Sequence, residues 1–252
     1  MPAVWIPIFA FLGLCVGSFL NVVAWRLPRG ESVVRPGSHC PSCERPLRAY
    51  ENVPVLAWVL LRGRCRTCGA SISARYPLVE LATGVLYVAI AAAYWEDWRE
   101  LVLGIVLVTA LIPITLIDLD VRRIPNAITA PAALLALPLA AVTEPGFIPE
   151  QPIAGAAATV FFLLPALISR KGMGMGDVKP AGVLGLYLGA AVAPAIMIAL
   201  VAGTVVGVVV IARSGVAEGR KTAVPFGPFL ALGATVSIFA GARIIDAYLG
   251  TF

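Results

Sequence analysis

The sequence predicts an all-α polytopic membrane protein of about eight transmembrane helices, with a small cytoplasmic four-cysteine zinc-binding domain between helices 1 and 2. Three observations carry this. Of 252 residues, 60% are hydrophobic and only 13% are charged, with a mean hydropathy of +0.92; soluble domains carry about 25% charged residues. Apolar runs of spanning length recur along the whole chain. One long polar interval holds Cys40-Pro41-Ser42-Cys43 and Cys65-Arg66-Thr67-Cys68. The lipid bilayer is therefore the principal partner. The net charge of +5 does not signal nucleic acid, because the basic residues sit in loops beside apolar segments.

The expected spans are 4–25, 77–95, 101–117, 127–143, 153–168, 180–192, 194–212 and 227–249. The first run has no basic residue before it and Arg26 and Arg29 just after it. It is too long for a signal-peptide core, so no separate signal peptide is expected. The boundary at Pro194 is the weakest, since 181–212 also reads as one helix. Charge favours the split. Eight spans place on one side nine arginines between Arg26 and Arg75, then Arg122, Arg123, Arg170, Lys171, Lys179, Arg213, Arg220 and Lys221. Those are 17 of the 19 lysines and arginines. The other side has Arg99 among Glu96, Asp97 and Glu100, and a loop with Glu144 and Glu150. The positive-inside rule puts the basic loops in the cytoplasm. The expected domains are a first helix (1–25), the cytoplasmic zinc-binding domain (26–76) and a transmembrane domain (77–252).

Two acids are out of place in so apolar a chain. Asp118 closes the run 111–117, and Asp177 ends Gly174-Met175-Gly176-Asp177, with Lys179 just beyond. A carboxylate at the bilayer edge is costly without a partner or a task. Two at one depth on one side can share a proton and activate water. Peptide hydrolysis needs one ionised to deprotonate water and one protonated to polarise the carbonyl, and such a pair titrates as a unit. Gly174 and Gly176 permit unusual backbone conformations and the close approach of a substrate strand. The competing reading is of loop carboxylates paired with Arg122, Arg123, Lys171 or Lys179. Asp120, two residues on, points elsewhere on a continuing helix and reads as a bystander.

Other readings of these motifs fail. No strand precedes the glycine run, so it is not a dinucleotide fingerprint, and it lacks the Gly-Lys-Ser/Thr ending of a phosphate loop. There is no His-Glu-x-x-His motif, and His39 is the single histidine.

The two Cys-x-x-Cys knuckles, 21 residues apart, are close to the spacing of a four-thiolate zinc site. Thiols stay reduced in the cytoplasm, which favours metal over disulfides or free thiols. A filled tetrahedron is structural and clamps a domain too small for much core of its own. Gly69 fits the tight turn of the second knuckle; His39 is a spare ligand at best. Cys15, in the first span, reads as a small apolar residue.

Taken in order, the motifs resemble those of the bacterial type IV prepilin peptidases, bifunctional leader peptidases and N-methyltransferases within the Gly-x-Gly-Asp membrane aspartic proteases. The match includes Gly17-Ser18-Phe19-Leu20-Asn21, Arg26-Leu27-Pro28-Arg29-Gly30, the knuckles and Arg75-Tyr76-Pro77-Leu78-Val79-Glu80. It continues with Asp118, Ile124-Pro125-Asn126, Gly174 to Lys179 and Phe226-Gly227-Pro228-Phe229. The resemblance implies removal of the leader from type IV prepilins or pseudopilins after a glycine, at the cytoplasmic face of the bacterial inner membrane. It further implies N-methylation of the new terminus by S-adenosylmethionine, in service of type IV pilus assembly, type II secretion or DNA uptake. The family's catalytic aspartates fall on Asp118 and Asp177, its active-site loop on Gly174, Gly176 and Lys179, and its metal ligands on Cys40, Cys43, Cys65 and Cys68. By resemblance alone, Ser18, Asn21 and Glu80 are methyltransferase candidates; equally, small and polar residues in a bundle serve helix packing. The rival functions are an ion or solute transporter and a non-catalytic pilus assembly factor.

Overall fold

The computed structural model describes residues 1–143, 150–168, 174–215 and 224–250. Arg170, Lys171, Arg220, Lys221 and Glu144, named above for the charge pattern, lie outside the described residues. Within these bounds the chain is all helix and loop, with two isolated β-bridges and no strand. It divides into two compact units, Met1–Asp97 and Trp98–Phe252.

In the first unit, α1 (Trp5–Arg26) packs on α3 (Arg75–Ala93). The seam is made of small residues. A Cβ on Gly13 would strike the backbone of Gly84, and one on Gly17 would lie 2.8 Å from the Cα of Glu80. Without a hydrophobic force between helices in lipid, this close backbone approach supplies the packing energy. Between the two helices lies the polar interval, with one short helix, α2 (Leu56–Leu60). Arg26 anchors the start of the interval: it is buried, and its guanidinium donates to the carbonyls of Ser32, Pro36 and Gly37.

The second unit holds α4 (Trp98–Val121), α5 (Asn126–Thr143), α6 (Glu150–Ile168), α7 (Met175–Leu188), α8 (Val192–Ser214) and α9 (Gly227–Leu249). Six stretches of the described chain are long and apolar enough to cross a membrane; one, Met175–Ser214, runs 40 residues and contains both α7 and α8. About 20 residues suffice for one crossing. The stretch is broken at Gly189–Ala191, where Gly189 takes a φ of +54°. The expected break at Pro194 is therefore five residues late. Pro194 sits in the first turn of α8, where the missing N–H costs no helical bond. In α5 the shorter apolar stretch, Asn126–Leu139, carries Pro131 and Pro138.

Glycines again set the packing. Gly155 of α6 meets Gly182 and Leu186 of α7, and a Cβ on Gly185 would collide with Ala154 and Gly155. Gly233 of α9 lies against the backbone of Ala195 and Ala199 of α8. The pairs α6–α7 and α8–α9 run antiparallel: Glu150 meets Gly189 while Thr159 meets Gly182, and Ala191 meets Gly241 while Gly203 meets Phe226. Glu150 Oε1 accepts the N–H of Ala190 and closes the α7–α8 break. Phe162, Leu107, Ile114, Ile117, Leu184 and Leu230 fill the interior, while Leu134, Leu167, Val201 and Val208 face outward as lipid-facing side chains do.

Candidate active site and cysteine centre

The α4 helix runs four residues past the expected end of its apolar run, so Asp118 lies in its last turn. Asp118 is 5% exposed. Its Oδ2 accepts the backbone N–H of Gly227 at the start of α9, over 2.8 Å. Only glycine fits there, because a Cβ at position 227 would stand 2.8 Å from that same oxygen. This contact gives Phe226-Gly227-Pro228-Phe229 a role that the sequence did not disclose. Arg122 follows in a left-handed turn, φ +53°, with its N–H on the carbonyl of Asp118.

Asp177 was expected in a loop before a helix starting at 180. The helix α7 begins instead at Met175, with Gly174 as N-cap in extended conformation (φ −81°). Asp177 thus occupies the first turn, where a helix favours negative charge, and is half-buried. The helices α4 and α7 pack together. Neither acid has a salt bridge among the described residues. Lys179 donates instead to Asn126 Oδ1 over 2.6 Å, tying α7 to the start of α5. Asp120 is exposed on the continuing helix.

The two motif glycines do not serve backbone freedom, as the sequence suggested. Neither takes a positive φ. Among the described residues, a Cβ on Gly174 would meet nothing closer than 3.8 Å, and one on Gly176 nothing within 4 Å. Nothing among the described residues fills the space at these two positions beside Asp177.

In the first unit the four cysteines of the polar interval converge: their Sγ atoms all lie within 4.8 Å of one another, a cluster that can hold a metal ion. The two knuckles are copies of one turn. Cys40 N–H donates to Arg45 O and Glu44 N–H to Cys40 O; Cys65 N–H donates to Ala70 O and Gly69 N–H to Cys65 O. The bridges His39–Pro46 and Arg64–Ser71 stand at matching places. Glu44 (φ +55°) fills the left-handed position that Gly69 (φ +71°) fills in the second copy. Backbone N–H groups of Cys68 and Thr67 lower the Cys65 thiol to about 6, and those of Ser42 and Cys43 lower Cys40. Burial and the neighbouring sulfurs instead push Cys68 up to about 11, so thiolate, the metal-binding form, is favoured at one cysteine of each knuckle, Cys40 and Cys65. His39 stays outside the cluster, with Nδ1 3.1 Å from Gly37 O. Beneath the first knuckle, Glu51 accepts from Arg45 at 2.8 Å and from the N–H of Arg48 at 2.8 Å. The arginine first, then the amide, holds its carboxyl down at about 2.

Ser18, Asn21 and Glu80 all line one cavity of this unit. Asn21 Nδ2 donates to Gly17 O and Tyr76 O, so it does serve helix packing. Glu80 Oε2 accepts the N–H of Val55 over 2.7 Å.

Residues 11–94 match the bacterial peptidase A24 N-terminal domain, and residues 105–211 match the type IV leader peptidase family. The chain is 38% identical to the prepilin leader peptidase/N-methyltransferase of Neisseria gonorrhoeae, over 89% of this chain and 87% of that protein. It belongs to the type IV leader peptidase family. Relatives of the same name from Myxococcus xanthus (39% identical, covering 87% of this chain and 68% of that one) and Xanthomonas campestris (35%, covering 98% and 96%) show similar likeness. No solved structure matches. As a type IV leader peptidase with these apolar helices, the protein is a multi-pass protein of the inner membrane.

Proposed function

We propose that the protein removes the leader of type IV prepilins or pseudopilins after a glycine, at the cytoplasmic face of the membrane, and then methylates the new N-terminal residue from S-adenosylmethionine. The peptidase reading is supported by the packing of α4, whose last turn carries Asp118, on α7, whose first turn carries Asp177, in an otherwise apolar bundle. One ionised carboxylate takes a proton from water while the protonated one polarises the scissile carbonyl. Gly227 holds one oxygen of Asp118 fixed, and the open space at Gly174 and Gly176 admits an extended backbone. Lys179 and Asn126 tie the first turn of α7 to the start of α5. Charge asymmetry between the loops supports the cytoplasmic placement.

The cysteine cluster suits zinc. At a Zn–S distance of about 2.3 Å a regular tetrahedron sets sulfurs about 3.8 Å apart, and Cys40 Sγ and Cys68 Sγ stand 3.8 Å apart. Such a centre fills all four positions and is structural. It would fix segment 26–76, which we assign to the methyltransferase activity.

The test is incubation of purified protein with a prepilin and S-adenosylmethionine, the product weighed intact by mass spectrometry. Loss of the leader by wild type, but not by Asp118→Asn or Asp177→Asn, is expected, followed by gain of one methyl group. No cleavage of several pilins by folded protein would overturn the reading.

A further inference from the structure

The first unit holds a partly open cavity of about 420 Å³, walled by the inner end of α1, the flanks of both knuckles, the turn before α2 and the start of α3. That volume falls in the range of roughly 300–1,000 Å³ typical of small-molecule sites. Its walls combine the rings of Trp58 and Tyr76 with the hydroxyl of Ser18 and the amide of Asn21. Hydrogen bonding of Nε1 to Ile72 O sets the plane of the Trp58 indole.

Two features of the wall are costly as they stand. Glu80 is 7% exposed, yet it has no ion pair among the described residues. The other buried carboxylate of the wall, Glu51, is satisfied by Arg45. Arg26 is committed to three carbonyls. A buried carboxylate without a counter-charge calls for a cation or remains a penalty. Beside it, Val55 takes φ +60°, ψ −52°, with Leu56 N–H on Pro54 O at 2.6 Å. This is the rare positive-φ γ-turn, and a β-branched residue there is an outlier. The turn presents the Val55 N–H to Glu80 Oε2. Strain maintained by the surrounding structure clusters at ligand sites.

We propose that this cavity is the S-adenosylmethionine site, with the Glu80 carboxylate as counter-charge to the sulfonium. The inference rests on the methyltransferase reading and deepens it. The donor matches the wall in kind: a fixed cation for Glu80, an aromatic base for the rings, and polar groups for the hydroxyl and amide. A peptide ammonium also carries positive charge, but the volume is that of a site for a whole small molecule.

The experiment is equilibrium binding of labelled S-adenosylmethionine, and separately of S-adenosylhomocysteine, to the full-length protein in nanodiscs, with and without cleaved pilin. S-adenosylhomocysteine has the same parts but no charge on sulfur. Glu80→Gln keeps an acceptor for Val55 N–H and removes the charge. It is expected to weaken S-adenosylmethionine about tenfold, leave S-adenosylhomocysteine within twofold and leave leader cleavage within twofold. Equal weakening of both ligands would reduce Glu80 to a structural role and overturn its assignment. Ser18→Phe, which fills the cavity, is expected to abolish binding of both while zinc content and cleavage persist. Undiminished binding by that variant would overturn the location, and if it fails to fold, Glu80→Gln decides. Absence of binding by wild type, with or without cleaved pilin, overturns the site, whereas leader cleavage by the same sample leaves the peptidase reading standing.

Discussion

The backbone N–H of Gly227 donates to Oδ2 of Asp118 across 109 residues of sequence. A buried carboxylate in an apolar bundle is thus held by main chain, leaving its other oxygen for chemistry. Gly227→Ala inserts a methyl group 2.8 Å from that oxygen. Displacing a reacting group by an ångström costs on the order of 100-fold in rate. Leader cleavage is expected to fall by about that factor while zinc content holds, as measured by cleavage rate and metal analysis. Wild-type cleavage by the variant would remove Gly227 from the machinery.

Asp118→Asn and Asp177→Asn are each expected to lower cleavage by roughly 10²–10⁴-fold, the usual worth of a general acid or base. Asp120→Asn, an exposed neighbour on the same helix, is expected to keep at least half of the activity. A large loss at Asp120, matched by tolerance at Asp118, would reassign the pair.

Gly176→Ala meets no atom of the described residues within 4 Å, so the folded state is expected to be unaffected and thermal unfolding to match wild type within about 2 °C. If the space beside Asp177 receives substrate backbone, cleavage falls all the same. The informative readout is KM and kcat together with melting temperature; a drop in melting temperature alone would give the glycine a packing role.

Metal analysis is expected to find one zinc per chain, and Cys43→Ser is expected to lose it. Because the cluster lies wholly in the first unit and the aspartates in the second, methylation should fail before cleavage does. Full methylation by metal-free protein would contradict this.

Glu51 titrates from an ordinary 4.5 down to about 2. A group whose value is lowered on folding stabilises above its unfolded value and loses that contribution as pH falls toward its folded one. The stability gap between wild type and Glu51→Gln should therefore be full at neutral pH and close between about pH 4.5 and about pH 2. Thermal melts across that range check it; a gap that persists unchanged at pH 2 refutes the linkage.

Several features were plain in the sequence because each broke a local rule. An aspartate ending the run 111–117, and four cysteines in two matched knuckles, are improbable in an apolar chain without a purpose. The basic loops and long runs likewise announced the helices. Other features were hidden by their physics. Gly227 acts through a backbone N–H, which side-chain chemistry cannot advertise. The left-handed residue of the first knuckle was masked, because Glu44 stands where the second copy has Gly69. The start of α7 lay five residues before the expected span because a polar first turn, Met175 to Lys179, is invisible to hydropathy. Proline drew attention at 194, although glycine at 189 makes the break.

That break at Gly189 governs the parity of the second unit. The stretch from Met175 to Ser214 carries enough apolar residues to pass as a single long rod. Counted as one crossing, it would deliver the start of α9 to the opposite side of the bilayer, a membrane's thickness from Asp118. The reversal at Gly189–Ala191, closed by Glu150, makes the count even and returns Gly227 to the end of α4. Whether an active site can assemble at all is thus decided at the far end of α7 from the acids, by a residue that touches neither of them.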